Sequence, residues 1–260
     1  MSIQIDNLSV KTNGVDIITD ISLTAATGKI TTIIGANGAG KSTLLKAITG
    51  DIPIKSGLIK LHNTTINPKL VDKTRSRNMA FLPQLSLLNF PYTVEEVVLL
   101  GRTPHETGEA LDAAIIQQSL AVVEMSEFSQ RSYTQLSGGE KQRVQLARVL
   151  AQIWRAEDSP SPRILLLDEP TISLDLGHQK KLMQFLQTFA QTDVAILMVL
   201  HNLNTAAHYS DELIALQHGK ILTSGSPSTV LKPETIKQLF TIDCQIINNP
   251  KTGKPVVLAQ

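Results

Sequence analysis

Cysteine is almost absent from this chain: Cys244 is the only one among 260 residues. That excludes an internal disulfide and any metal site built from several thiolates, and it fits a reduced, cytosolic setting. Aromatic residues make up only 4% of the sequence, and charged residues 18% against about 25% in an average chain. The 24 basic and 23 acidic side chains nearly cancel, leaving a formal charge of +1. No bulk basic field therefore exists to attract nucleic acid or anionic lipid. Long apolar runs are missing as well: the most apolar stretches, residues 164–167 and 194–200, fall far short of the ~20 residues that cross a bilayer. Residues 1–7, Met-Ser-Ile-Gln-Ile-Asp-Asn, carry neither the basic start nor the apolar stretch of a secretory signal. Any membrane role is expected to be peripheral, through a partner. What the chain does have is a hydrophobic share of 42%, enough at this length to bury a sizeable core without staples.

Short apolar runs alternate with longer stretches of helical period, the pattern of an α/β fold on a parallel sheet. Ile3, Ile5, Leu8 and Val10, then Ile21 and Leu23 beyond the Asn13-Gly14 turn signal, predict two opening strands. Residues 29–34 predict a buried strand ending at Gly35, followed by a helix from about Lys41 to Thr49. Strand character resumes at 58–61. From Thr93 to Trp154 the texture is mainly helical. Thr93-Val-Glu-Glu96 is a capping box, a second helix is expected over 109–125, and a third over 138–154. Strands return at 164–167, 194–200 and 212–216, with a helix near 178–191 between the first two. Residues 244–247 and 256–258 flank Asn249-Pro-Lys-Thr-Gly253 as a small hairpin. This is one α/β core carrying a helical insertion.

Three motifs carry chemistry. Gly35-Ala-Asn-Gly-Ala-Gly-Lys-Ser42 matches the phosphate-binding loop, with a strand before it and a helix after it. Gly38 and Gly40 let successive N–H groups face a phosphate chain at a helix N-terminus. Lys41 is placed to reach the β- and γ-phosphates and Ser42 to offer its hydroxyl to Mg²⁺. The loop is not a dinucleotide fingerprint, because Asn37 stands where the second glycine belongs. Ile164-Leu-Leu-Leu-Asp-Glu-Pro170 delivers two carboxylates at the end of an apolar strand. Asp168 suits the Mg²⁺ shell, and Glu169 suits polarising an attacking water. Finally, Ser137…Glu140 in Tyr133-Thr-Gln-Leu-Ser-Gly-Gly-Glu-Lys-Gln-Arg143 is a second capping box, and Gly138-Gly139 leaves the helix start bare. A bare helix start with a serine hydroxyl is an anion site. A second such site beside a complete phosphate cradle suggests a nucleotide shared between two copies.

Gly35–Ser42, Leu-Ser-Gly-Gly-Glu at 136–140, the 164–169 strand, Ser173-Leu-Asp175 and His201 occur in an order that resembles the ATP-binding subunit of an ABC transporter, over nearly the whole chain. The resemblance implies an α/β fold: a P-loop NTPase (RecA-like) core with an antiparallel β subdomain and an inserted α-helical subdomain. It implies one domain over 1–260, with the core and β subdomain in 1–84 and 156–225, the helical subdomain in 85–155 and a C-terminal extension in 226–260. It implies a head-to-tail homodimer, with ATP contacted by Gly35, Ala36, Asn37, Gly38, Ala39, Gly40, Lys41, Ser42 and Thr43 of one copy. Ser137, Gly138 and Gly139 of the other copy complete the site, and Asp175 is assigned to ATP binding as well. Gln84, in Phe-Leu-Pro-Gln, resembles the loop glutamine that contacts Mg²⁺ or water and hinges the helical subdomain. His201 resembles the switch histidine that senses the γ-phosphate. Catalysis is thus assigned to Glu169, His201, Lys41 and Gln84, and Mg²⁺ to Ser42, Gln84 and Asp168. Three positions depart from the pattern. Val10 stands in the register position of the aromatic that stacks on adenine, Asn202 replaces an aspartate, and Ile172 replaces a small residue.

Within that family, residues 89–105, Asn-Phe-Pro-Tyr-Thr-Val-Glu-Glu-Val-Val-Leu-Leu-Gly-Arg-Thr-Pro-His, resemble the iron–siderophore, haem and cobalamin importers. The block 136–154 and the polar insert 155–163 are similar to bacterial haemin importer ATPases. The partners implied are two transmembrane permease subunits and, indirectly, a substrate-binding protein, on the cytoplasmic face of the inner membrane. An ATPase of a ferric-siderophore or cobalamin importer is the alternative, and a soluble ATPase of iron–sulfur assembly a further one. His105, His208 and the methionines are expected to be surface or packing residues, since the cargo never touches this subunit. Pro83 and Pro91 bracket a segment whose Leu85, Leu87, Leu88 and Phe90 could line a groove for a permease helix.

Overall fold

A strand that is apolar at every position needs cover on both faces of its sheet, and the structure provides it. The computed structural model describes residues 3–62, 64–66, 73–84, 90–158, 162–172 and 174–259. In chain order these form β1 (Ile3–Thr12), β2 (Val15–Ala25), β3 (Ile30–Ile34), α1 (Lys41–Thr49), β4 (Ser56–Leu61), β5 (Thr64–Thr65), α2 (Lys73–Asn78) and β6 (Met79–Leu82). Next come α3 (Val94–Leu99), α4 (Glu109–Val122), α5 (Gly138–Gln152), β7 (Arg163–Asp168), α6 (Leu176–Ala190), β8 (Val194–Val199) and α7 (Leu203–Tyr209). The chain closes with β9 (Glu212–Gln217), β10 (Lys220–Gly225), α8 (Pro227–Val230), α9 (Pro233–Phe240), β11 (Cys244–Asn248) and β12 (Pro255–Ala259).

The main sheet runs β10-β9-β3-β8-β7-β6, parallel throughout except for the antiparallel edge strand β10. A second, antiparallel sheet runs β2-β1-β4-β5, and β11 pairs with β12 as the expected C-terminal hairpin. Strand alternation divides the core in two. Ile164 and Leu166 of β7, with Leu197 and Val199 of β8, face the cluster formed with the antiparallel sheet and α1. Leu165, Leu167, Ile196 and Met198 face the helical side, where Val97, Leu120, Val144, Leu150 and Leu186 meet them. Helices α3, α4 and α5 are inserted between β6 and β7, strands that pair directly with each other.

Capping decides where the helices begin. Thr93 and Ser137 each form the expected box with Glu96 and Glu140, so α3 and α5 start on schedule. The helix expected from 178 begins at Leu176, because the Asp175 side chain accepts from His178 N. The helix expected over 109–125 stops at Val122, with Glu124 in the left-handed region at φ 55°. The one expected over 138–154 stops at Gln152, where Ile153 leaves helical geometry at φ −124° and ψ 29°. Short elements α2, α7, α8, α9, β5 and β10 have no expected counterpart. Leu85, Leu87, Leu88, Ser173 and residues 159–161 of the polar insert lie outside the described residues.

Arg102 ties the inserted helices together from inside. Its guanidinium donates to Asp112 Oδ1 and Asp158 Oδ2 at 2.8 Å, and to Ala151 O and Thr107 Oγ1 at 2.9 Å. His105, nearly buried, has Nε2 at 2.7 Å from Gln152 O, so it is the packing residue its surroundings require. Replacing Arg102 with Leu leaves two carboxylates without their cation in a dry setting, a change expected to cost about 3–5 kcal/mol. Urea unfolding followed by circular dichroism should show a lower midpoint for the variant; an unchanged midpoint would contradict this role.

Candidate active site

The cleft is built where four parallel strands end. β3 runs into Gly35, and the chain turns through the glycine loop to α1. A Cβ on Gly35 would lie 2.2 Å from Leu216 O, so no larger residue fits against β9. Gly40 caps α1 at φ 101° with no side-chain hydrogen bond, and no acidic residue occupies the first turn. The amides at the head of α1 are therefore left for an anion. Lys41 is buried and donates from Nζ to Gly35 O at 2.8 Å and Ala36 O at 3.0 Å. Burial lowers its pKa, while the Glu169 and Asp168 carboxylates nearby act to keep it charged.

β7 delivers the acidic pair. Asp168 is 1% exposed, and burial raises its pKa against the hydrogen bond it takes from Ser42. Its Oδ1 has no hydrogen-bond partner. A buried carboxylate oxygen left open beside a serine hydroxyl is a donor set for a hard divalent cation. Glu169 follows at φ 57°, which turns its side chain off the strand and into the cleft. One carboxylate oxygen, Oε2, accepts from Gln84 Nε2 at 3.1 Å, and Oε1 pairs with His201 Nε2. The Glu169 carbonyl accepts from Gln142 Nε2 of α5 at 3.2 Å.

These groups line a cavity of about 680 Å³, within the range of small-molecule sites. Its walls are Ile17, Asn37, Gly38, Ala39, Gly40, Lys41, Ser42, Thr43, Gln84, Glu169, Ile172 and His201. Gly35 and Ala36 lie behind Lys41, and Asp168 behind Ser42. Ser137, Gly138, Gly139 and Asp175 do not reach this cavity. Ser137 and Gly138 are exposed at the start of α5, and Asp175 is exposed at the start of α6. Two residues of the site carried no prior assignment: Gln142, which stood inside the signature stretch, and Ile17, for which no sequence signal existed.

Val10 does not stand at the site, contrary to the register expected for it. It is fully buried, packed with Ile18 and Ile21 in the core, and it is absent from the cavity wall. It cannot take the place of a base-stacking aromatic; the apolar contact that β2 offers the cavity is Ile17. Asn202 keeps a structural task, its side chain accepting from Thr205 N at 3.0 Å to cap α7.

The phosphate cradle, the acidic pair and the strand order define an ATP-hydrolysing cassette. The family model for the ABC transporter matches residues 18–172, and the chain belongs to that family. Among curated relatives, proteins named "Hemin import ATP-binding protein HmuV" stand out. The Pseudomonas fluorescens protein is 39% identical over 258 residues, covering 99% of this chain and 100% of the relative. The Plesiomonas shigelloides protein is 42% identical over 258 residues, covering 95% and 98%. That of Gloeobacter violaceus is 43% identical over 253 residues, covering 96% and 91%. An ABC transporter chain solved in an inward-facing conformation shares the fold, with TM-score 0.79 and 23% identity over 100% of this chain and 97% of that one. A dimeric ATP-binding cassette in a post-hydrolysis state, bound to ADP and Pi, superposes with TM-score 0.75 and 25% identity, over 86% of this chain and 98% of that one. The chain is an ABC-type ATPase that binds ATP.

Lys41→Ala removes the one lysine or arginine side chain on the cavity wall among the described residues. Losing a charge-assisted contact should weaken ATP binding about 10-fold or more. Titration with a fluorescent ATP analogue checks this, and an unchanged Kd would contradict the assignment.

Proposed function

We propose that this ATPase energises a membrane importer whose cargo is haem. The observation that supports the cargo is the company the chain keeps: relatives 37–43% identical over nearly their whole length are hemin import ATP-binding proteins. Two transmembrane permease subunits, fed by a substrate-binding protein, are the proposed partners. The place of work is the cytoplasmic face of the inner membrane. No helix among the described residues is long and apolar enough to cross a bilayer. The proposed attachment is through the permease.

In this reading the amides of Gly38, Ala39 and Gly40 and the Lys41 ammonium take the β- and γ-phosphates, with Asn37 and Thr43 on the same wall. Ser42, Asp168 and Gln84 hold Mg²⁺, which neutralises phosphate charge when bound. Glu169 polarises the attacking water and takes its proton. His201, on the other side of that carboxylate, orients it and faces the γ-phosphate. Ser137, Gly138, Gly139 and Asp175 of a second copy close the nucleotide in a head-to-tail dimer. The exposure of Ser137, Gly138 and Asp175, and the absence of all four from the wall of their own cavity, support that use. The division into a core and β subdomain (1–84 and 156–225), a helical subdomain (85–155) and a C-terminal extension (226–260) follows the same reading.

Gln84 stands where hydrolysis meets transport, bonded to Glu169 at the end of the strand that precedes the helical insertion in sequence. Exposed Phe90 and Tyr92, tilted against each other at 6.0 Å, lie just beyond it. Gln84→Ala should leave ATP binding within about 2-fold, yet reduce haem transport more than basal hydrolysis. Reconstitution with the permease in liposomes measures both rates; equal losses would make Gln84 catalytic only. The cargo has its own check. Haem-loaded binding protein should stimulate ATP turnover in those liposomes, and stimulation by a ferric siderophore or cobalamin instead would overturn haem as the substrate.

A further inference from the structure

Three residues beyond Asp175, His178 stands between the head of α6 and the inserted helices. Its Nδ1 lies 2.8 Å from Asp175 Oδ2, and its Nε2 lies 3.1 Å from Glu124 Oε2. Arg143 Nη1 is also 3.1 Å from that Nε2 and donates to Val123 O at 3.4 Å. Glu124 is held in turn by Lys181 of α6. The charged groups that surround the ring are thus Asp175, Glu124, Arg143 and Lys181. Arg143 belongs to α5, the helix that starts at Gly138. One imidazole therefore links Asp175 to the signature helix in two contacts.

Glu124 is a second, independent sign. Its φ of 55° places it in the left-handed region just past the end of α4, a position where glycine is usual. The chain keeps a carboxylate there instead, and that carboxylate reaches His178 and Lys181. The surface braced in this way is open: Leu176, next to Asp175, is 83% exposed, and Ser137 and Gly138 are exposed as well. His178 is not on the wall of the nucleotide cavity.

We propose that His178 is a positioning residue that holds the Asp175 turn and the start of α5 as one surface, so that each copy presents both to its partner's nucleotide. The proposal rests on the shared-site reading given above. It makes His178 matter in trans: a copy without it still binds nucleotide in its own loop, but closes its partner's site poorly.

The test uses the full chain in a Glu169→Gln background, which keeps ATP intact. ADP affinity reports the monomer's own loop, and sedimentation equilibrium with Mg·ATP reports dimerisation. His178→Ala should leave ADP affinity within about 2-fold and weaken the dimer about 10-fold or more. Arg143→Ala breaks the same link from the α5 side and should give the same loss. His178→Gln, whose amide falls near the lost Nε2, should restore most of the dimer. His178→Asn, whose amide falls near Nδ1, should behave like the alanine variant. Dimerisation of His178→Ala as tight as the parent's overturns the proposal, as does rescue by Asn equal to rescue by Gln. ADP affinity that falls in step with dimerisation also overturns it, since that marks a general loss of structure. If the Glu169→Gln parent itself stays monomeric with saturating ATP, the shared-site reading fails and carries this inference with it. A parent that dimerises leaves His178 judged on its own variants.

Discussion

Glu169 is held from three directions, and the rest of the site depends on that grip. β7 brings it to the cleft, its left-handed φ of 57° turns it inward, and Gln84, His201 and Gln142 meet it from β6, β8 and α5. A carboxylate this buried needs partners, because a desolvated and unpaired charge is costly. Two buried carboxylates face one buried ammonium here, Lys41, so the protein's own groups leave acid in excess. The open Asp168 Oδ1 is where that excess is concentrated. A divalent cation held there would offset that charge and part of the charge of a phosphate chain.

The topology explains how residues far apart in sequence reach one cleft. Strands β3, β6, β7 and β8 run parallel, so their C-terminal ends lie along one edge of the sheet. Gly35, Gln84, Glu169 and His201 each follow one of those ends. Behind them the strands are buried on both faces, and alternate side chains enter two different cores. One core joins the sheet to the antiparallel strands and α1, the other to the inserted helices. Gln142 of α5 donates to the Glu169 carbonyl, which brings the helical side into direct contact with the site.

Much of this was legible in sequence, for identifiable reasons. The unbroken apolar runs of β7 and β8 left no other place for them than the centre of a sheet. The Thr93 and Ser137 capping boxes marked the starts of α3 and α5 because such boxes are local. Shorter pieces were not legible: α7, with seven residues, carries too little periodicity, and β10 is a half-exposed edge strand. Glu124 and Asp175 shifted helix ends through conformation and capping rather than hydrophobic pattern. Val10 misled because β1 and β2 pair with register shifts on either side of it, and facing in a strand reverses with each residue. Gln142 and Ile17 meet the cavity only through packing between distant elements, which no local motif announces.

Glu169 is proposed to serve the hydrolytic step rather than nucleotide binding. Glu169→Gln keeps the shape and the contact with Gln84 but loses the negative charge that polarises water. Single-turnover hydrolysis of Mg·ATP, measured beside ATP affinity in the same preparation, separates the two roles. The expected result is a rate reduced about 100-fold or more, with ATP Kd changed by no more than a few-fold. Hydrolysis that survives the substitution, or a rate and an affinity that fall together, would contradict it.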